Sequence, residues 1–215
     1  MSTPATDPNV QLESNLTPHT VQFYSDDGFL LDTLAQFVGG ALLSGDAAIV
    51  IATRAHRDGL TQRLRDRGLD PAPALSEGRF VLADARHTLD RFSVDSWPDA
   101  ERFTSAMGGM MNDARQAAHS AQRCIAAFGE MVALLWADGL HDAALRLEVL
   151  WNQLAQTQSF SLRCAYPVSA FVGEADGSAL LRLCAEHSHV IPAETYADPA
   201  SRDRLRSVME GRPRH

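Results

Sequence analysis

Lysine is absent from the 215 residues, and all nineteen basic residues are arginine. The absence excludes whole chemistries. A phosphate-binding loop of the G-x-x-x-x-G-K-[ST] type needs its lysine on the terminal phosphates, and Schiff-base or pyridoxal-phosphate catalysis needs a lysine amine. Long apolar runs are missing as well. No stretch approaches the ~20 uninterrupted apolar residues of a membrane helix, and Met1-Ser2-Thr3-Pro4 carries neither the basic nor the apolar region of a secretory signal, so a cytoplasmic address is expected. Cysteine is scarce. Cys124, Cys164 and Cys184 are odd in number and widely spaced, and the first two fall in apolar, strand-like segments. Reduced core thiols are therefore expected rather than a disulfide framework. A positive surplus is also lacking: at a net charge of -8 the chain has no basic excess to displace counterions from phosphates, and nucleic acid is not expected as a direct partner.

What is present is an ordinary apolar fraction of 45%, enough for one core at this length. Residues 1–17 are rich in Pro, Thr, Ser and Asn, with too few apolar groups to offset their ordering entropy, and read as a flexible lead-in. One domain is expected over 18–192, followed by a polar, arginine-rich tail over 193–215. The cluster from Arg202 to Arg206 in that tail is interspersed with acidic residues and reads as a solvated face.

Within the domain, strand and helix patterns alternate. Thr20 to Tyr24 reads as a strand, and Asp26-Asp27 offer carboxylates to the free amides of a helix start. Leu30, Leu34, Phe37, Val38 and Ala41 then form one apolar helix face, which Gly45 is placed to end. Ala47 to Ala52 is continuously apolar, the pattern of a strand covered on both faces of a parallel sheet. Thr53 can cap a helix around His56 to Arg67, with Gly68 as its stop, and Phe80 to Ala83 restores the strand pattern. A short helix around Thr88 to Phe92 comes next. Pro98 suits the first turn of a longer helix with a stripe of Phe103, Met107, Met110 and Ala114. Cys124 to Phe128 reads as a buried strand, Gly129 to Gly139 as a turn into helix, Leu140 to Gln156 as a strong helix, and Ser161 to Tyr166 as a strand closed by Pro167. Leu180 to Glu186 adds a helix and Val190-Ile191 an edge strand.

This alternation predicts a three-layer, doubly wound α/β domain with a mostly parallel sheet and helices on both faces. Ligands of such sheets sit beyond the carboxyl ends of the strands, which nominates Tyr24 to Asp27, Thr53 to His56, Asp84, Gly129 to Met131, and Tyr166.

Five segments carry a family resemblance: H-T-V-Q-F-Y-S-D-D-G-F-L-L at 19–31, G-D-A-A-I-V-I-A-T at 45–53, F-G-E-M-V-A-L-L-W at 128–136, R-L-E-V-L-W-N-Q-L at 146–154, and C-A-Y-P at 164–167. Together they resemble the MEDS domain, the methanogen/methylotroph DcmR sensory domain. The resemblance spans roughly His19 to Ile191. It implies a sensory module for small hydrocarbon derivatives, on a fold related to RecA-like and KaiC-like ATPases but without a working phosphate loop. Family members are often fused to a histidine kinase, a response output or a DNA-binding domain. Here only a short arginine-rich tail follows Ile191, so the resemblance implies signalling through a partner protein, such as a histidine kinase, or through a second copy of the chain.

Several residues could carry the chemistry. Glu130 follows a buried strand among Phe128, Met131 and Val132, where burial would favour a protonated carboxyl able to donate to a ligand; it could equally cap a helix or pair with an arginine. Glu148 flanks the stripe of Leu147 and Trp151, where a surface salt bridge with an arginine is the simpler account. Cys164 and Tyr166 alternate onto one strand face and could line an apolar pocket or simply pack in the core. Cys184-x-x-His187-x-His189 has metal-ligand residue types, with His19 or His56 to complete the set. Its spacing matches none of the usual paired zinc motifs, and a helix end followed by a turn would scatter the side chains, so no metal is assigned. Phe23, Tyr24, Met131 and Trp136 suit a small apolar ligand or a core.

The ligand site is accordingly expected among His19, Phe23, Tyr24, Asp27, Arg54, His56, Glu130, Met131, Trp136, Glu148, Cys164 and Tyr166, with the cofactor, if one is used, unknown. A non-catalytic sensor is the first expectation, and a degenerate ATPase-like scaffold for a kinase or anti-sigma partner is the alternative. An enzyme using Glu130 or Cys164 ranks last, because no acid, base and nucleophile converge in the sequence.

Overall fold

Six apolar residues in a row make Ala47–Ala52 a strand that must be covered on both faces, and in the computed structural model all six are buried. The structure describes residues 18–171 and 176–193; the lead-in and the tail beyond Ala193, with its arginine cluster, lie outside the described residues. Six strands form the sheet: β1 (His19–Tyr24), β2 (Ala47–Ala52), β3 (Phe80–Asp84), β6 (Ile125–Gly129), β7 (Ser161–Pro167) and β8 (His189–Ile191). Their order is β3-β2-β6-β7-β1-β8, and every pairing is parallel. A separate hairpin joins β4 (Ser93–Val94) to β5 (Trp97–Pro98).

Strand order and crossover handedness together fix which helices lie on which face. Right-handed connections moving one way along the sheet put their helices on one face, and those moving the other way use the opposite face. The chain moves from β1 to β2 to β3 in one sense through α1 (Asp27–Leu43), α2 (Arg54–Asp66) and α3 (Ala72–Ser76). It then returns through α4 (Ala85–Phe92), α5 (Ala100–Ala117), α6 (Met131–Ala137), α7 (His141–Ala155) and α8 (Asp176–Ala185). Two apolar clusters follow. Ala48, Val50 and Ala52 pack with Leu30, Leu34, Val38, Leu60 and Leu64 from α1 and α2. The alternate residues Ile49 and Ile51 pack with Phe103, Met107, Leu147 and Trp151 from α5 and α7. This is the three-layer architecture expected from the alternating pattern. Trp151 anchors the second layer, edge-on to Phe103 with ring centroids 5.0 Å apart and 6.0 Å from Phe160.

Helix starts follow the carboxylates and hydroxyls in the sequence. Asp26 accepts from the amide of Phe29, Asp84 from that of His87, and Asp99 from that of Arg102, each capping an otherwise unpaired donor. Gly45 turns the chain out of α1 at a φ of 78°, in the left-handed region that glycine enters without a Cβ penalty.

Three local expectations need correction. Pro98 lies in β5 rather than in a first helical turn, because Asp95 and Ser96, with φ of 49° and 64°, make a tight two-residue turn that pairs Val94 with Trp97. Helix α3 follows Pro71, between Gly68 and Phe80, where no element was expected. Cys124 is exposed, not a core thiol, since the strand starts only at Ile125, after Arg123 takes a positive φ. Among the described residues no helix is long and apolar enough to cross a membrane.

Candidate functional site

The helices that follow β2 and β6, two neighbouring strands, leave to opposite faces of the sheet. Such a divergence opens a crevice at the carboxyl ends of the two strands, the usual ligand position in doubly wound sheets. Glu130 lies there, directly after β6, and is almost wholly buried. Its Oε2 accepts the backbone amide of Thr53, at the end of β2, at 2.7 Å. Its Oε1 pairs with Nδ1 of His56 in the first turn of α2. Both side-chain oxygens of Glu130 are thus engaged by groups of the chain itself. Nε2 of His56 faces the exposed Asp27 at 3.5 Å, and the ring of Tyr24 stands edge-on to His56, with centroids 6.2 Å apart.

These neighbours set the charges in the crevice. The hydrogen bond to Glu130 raises the His56 pKa above its ordinary value of 6.5; burial opposes the shift and the Glu130 and Asp27 charges reinforce it. Burial pushes the Tyr24 phenol well up, helped by the Glu130 and Asp27 charges, so it remains a hydrogen-bond donor. A folded-state pKa raised in this way contributes stability that is complete below the unfolded value and is lost as pH rises through the folded value. The stability gap between the wild-type chain and His56→Gln, measured by urea unfolding, is therefore expected to be widest near pH ~6 and to shrink as the pH is raised.

A second polar cluster is sealed between the sheet and α7. Glu148, expected on a surface flank with an arginine, is fully buried and has no arginine partner among the described residues. The reason is the register of β1 and β7. His19, paired with Leu162, and Cys164, paired with Val21, lie on the sheet face that α7 covers, so Glu148 points into them rather than to solvent. Tyr166 Oη donates to Glu148 Oε1 at 2.8 Å, and Cys164 Sγ donates to Oε2 at 3.3 Å. Nε2 of His19 lies 3.3 Å from Oε2 and 3.4 Å from Cys164 Sγ. His187, in the turn before β8, brings its Nε2 to 3.5 Å from Oε1, and its ring lies tilted against that of His19 with centroids 4.1 Å apart.

Burial alone would raise the Glu148 pKa, but the two imidazoles and the Tyr166 hydroxyl take it down to about 2. Burial also pulls both histidines down. For His19 the contacts with Glu148 and Asn152 outweigh that pull and leave it above its ordinary value; for His187 burial prevails and the ring is held neutral. Burial drives the Cys164 thiol and the Tyr166 phenol well up, and the Glu148 charge adds to both shifts. The cluster therefore holds Glu148 as a carboxylate and disfavours a thiolate at Cys164.

The twelve nominated residues thus do not form one site. Tyr24, Asp27, His56 and Glu130 gather at the strand-end crevice, whereas His19, Glu148, Cys164 and Tyr166 make the buried cluster. Phe23 and Trp136 belong to an aromatic wall with Tyr166 and Phe171, and Met131 is core at the start of α6. Arg54 points to solvent beside Asp58, one helical turn along the exposed face of α2. Cys184 is half-buried and His189 exposed, and neither joins His187.

Sequence reasoning missed Thr53 as an amide donor, Asn152, and the partnership of His187 with residues far along the chain. One signal was available for Glu148. It lies four residues after Ala144 and three before Trp151, in the middle of the buried stripe of α7. A groove of about 1000 Å³ runs elsewhere, between the β3 edge at Gly78 and Val81 and the outer side of α5. It contains none of the twelve residues.

Comparison with known proteins adds one match. The family model for MEDS, described as the MEthanogen/methylotroph, DcmR Sensory domain, matches residues 18–188. No curated protein matches the chain.

Proposed function

The chain belongs to the MEDS family of sensory domains, and from that premise we propose that it binds a small organic molecule of hydrocarbon-derived kind in the crevice beyond β2 and β6, without catalysing a reaction. One observation carries the reading: a buried carboxylate, Glu130, is fixed at the divergence of the sheet between a backbone amide and an imidazole. It holds His56 so that the second ring nitrogen faces the open side of the crevice, where Asp27 is exposed. The Tyr24 phenol, kept protonated, supplies a donor beside it. A small ligand with one or two oxygen atoms could exchange with Asp27 on His56 while its apolar part lies against Tyr24.

A ligand that displaces Asp27 acts on the start of α1, and one that alters the Glu130 contact acts on α6, which begins at the next residue. Differential binding to two positions of either helix is what a signal requires. The receiver is a partner protein such as a histidine kinase, or a second copy of the chain.

Thermal unfolding across a panel of small oxygenated organic compounds and nucleotides tests the reading. At least one small organic compound should raise the midpoint of the wild-type chain and have no effect on His56→Ala. A panel with no active compound, or one active equally on His56→Ala, would count against the strand-end site.

A further inference from the structure

We propose that His19, Glu148, Cys164 and His187 form a buried site for a divalent transition metal of the zinc type, distinct from the strand-end crevice. One donor atom from each lies within 4.8 Å of all the others. Three of the closest approaches are 3.3, 3.4 and 3.3 Å, among His19 Nε2, Cys164 Sγ and Glu148 Oε2. Ligand atoms held tetrahedrally at zinc bond lengths stand roughly 3.3–3.8 Å apart, so the set needs only a modest contraction on the His187 side.

The tautomers favour a cation. Nδ1 of His187 meets the Leu183 carbonyl at 2.8 Å, and a carbonyl can only accept, so Nδ1 carries the proton and Nε2 the lone pair. That Nε2 is fully buried, has no hydrogen-bond partner among the described residues, and is aimed at a carboxylate. A lone pair facing a carboxylate calls for a positive charge between them. His19 is arranged alike. Asn152 donates its amide hydrogens to the backbone carbonyl and the carboxylate of Glu186, so its Oδ1 is the acceptor for Nδ1 of His19, at 2.8 Å. Nε2 of His19 is again the inward atom. Imidazoles fixed through Nδ1 by carbonyl oxygens, with Nε2 converging, and a carboxylate braced by the Tyr166 hydroxyl, are the outer partners that metal ligands ordinarily have.

Charge and coordination agree with this assignment. When a dication binds, the proton on Cys164 and any proton on His19 Nε2 leave to solvent, and thiolate, carboxylate and metal together are neutral around a Glu148 that has no arginine partner among the described residues. Four protein ligands with no open position make a structural site rather than a catalytic one. The metal would fasten β1, α7 and β7 to the turn that leads into β8, the edge strand.

The test uses the full-length, tag-free chain with metals alone. After chelator treatment and dialysis, cobalt(II) is titrated in as a spectroscopic substitute for zinc(II). One equivalent should bind, with a thiolate-to-cobalt charge-transfer band and the intense visible bands of a tetrahedral ion, and zinc(II) should displace it. Cys164→Ser should abolish the charge-transfer band, and His187→Ala should weaken binding at least about tenfold. Cys184→Ser and His189→Ala, outside the site, should leave both unchanged. Absence of the band in the wild-type chain overturns the proposal irrespective of how any variant folds. A band that survives Cys164→Ser, or vanishes in Cys184→Ser, overturns it equally.

Discussion

Glu148→Ala should destabilise the metal-free chain by about 3–5 kcal/mol, the cost of breaking a buried polar network by removing its central acceptor. Three groups depend on that carboxylate: the Tyr166 hydroxyl, the Cys164 thiol and the His19 imidazole. None of the three can reach solvent without opening the layer between β7 and α7, so each would lose its acceptor in place. Glu148→Gln keeps one accepting oxygen for Tyr166 but turns an amide donor towards the other partners, and should cost less than alanine. Urea unfolding of chelator-treated protein measures both. A Glu148→Ala chain within about 1 kcal/mol of wild type would mean that the carboxylate contributes little beyond its own desolvation.

Trp151→Ala should be comparably severe, at about 3–5 kcal/mol. The indole is 1% exposed and fills the space between Phe103 and Phe160, while α5 and α7 hold their spacing through other contacts, so the cavity cannot collapse fully. Its Nε1 has no hydrogen-bond partner among the described residues. Trp151→Phe removes that unsatisfied donor along with some volume, and is therefore expected to retain most of the stability lost in the alanine variant. Thermal and urea unfolding of the two variants side by side would separate the packing effect from the polar one. Equal losses in both would show that the indole ring's full volume, not ring packing in general, is what the site demands.

The layers of this fold could be read from the sequence because their signals are local. The six apolar residues of β2, the stripe of α7 and the caps at Asp26 and Thr53 each depend on residues within one or two turns. The buried cluster was not legible in the same way. Glu148 was assigned to a surface flank, yet it occupies the centre of a core stripe; its partners His19, Cys164, Tyr166 and His187 come from both ends of the domain, and only the strand register aligns them. Cys164 and Tyr166 could be put on one strand face by alternation, but alternation cannot say which helix covers that face. The same limit explains Arg54 and Cys124. Proximity to a strand end suggested a role for Arg54, whose side chain points to solvent, and apolar neighbours suggested a core thiol at Cys124, which lies just before the strand begins at Ile125.

The place of β1 in the sheet has a consequence for how the chain is made. Among the described residues this first strand bonds only to β7 and β8, and Ser188 closes onto the His19 carbonyl across a separation of 169 residues. A ribosome delivers β1 first and its neighbours last. During that interval β2, β3 and β6, which pair among themselves, can assemble, while β1 waits with two bare edges open to other nascent chains. Interrupted synthesis before Ser161 would leave the strand permanently unpaired, so the amino-terminal strand is the last to be secured and the step most in need of protection.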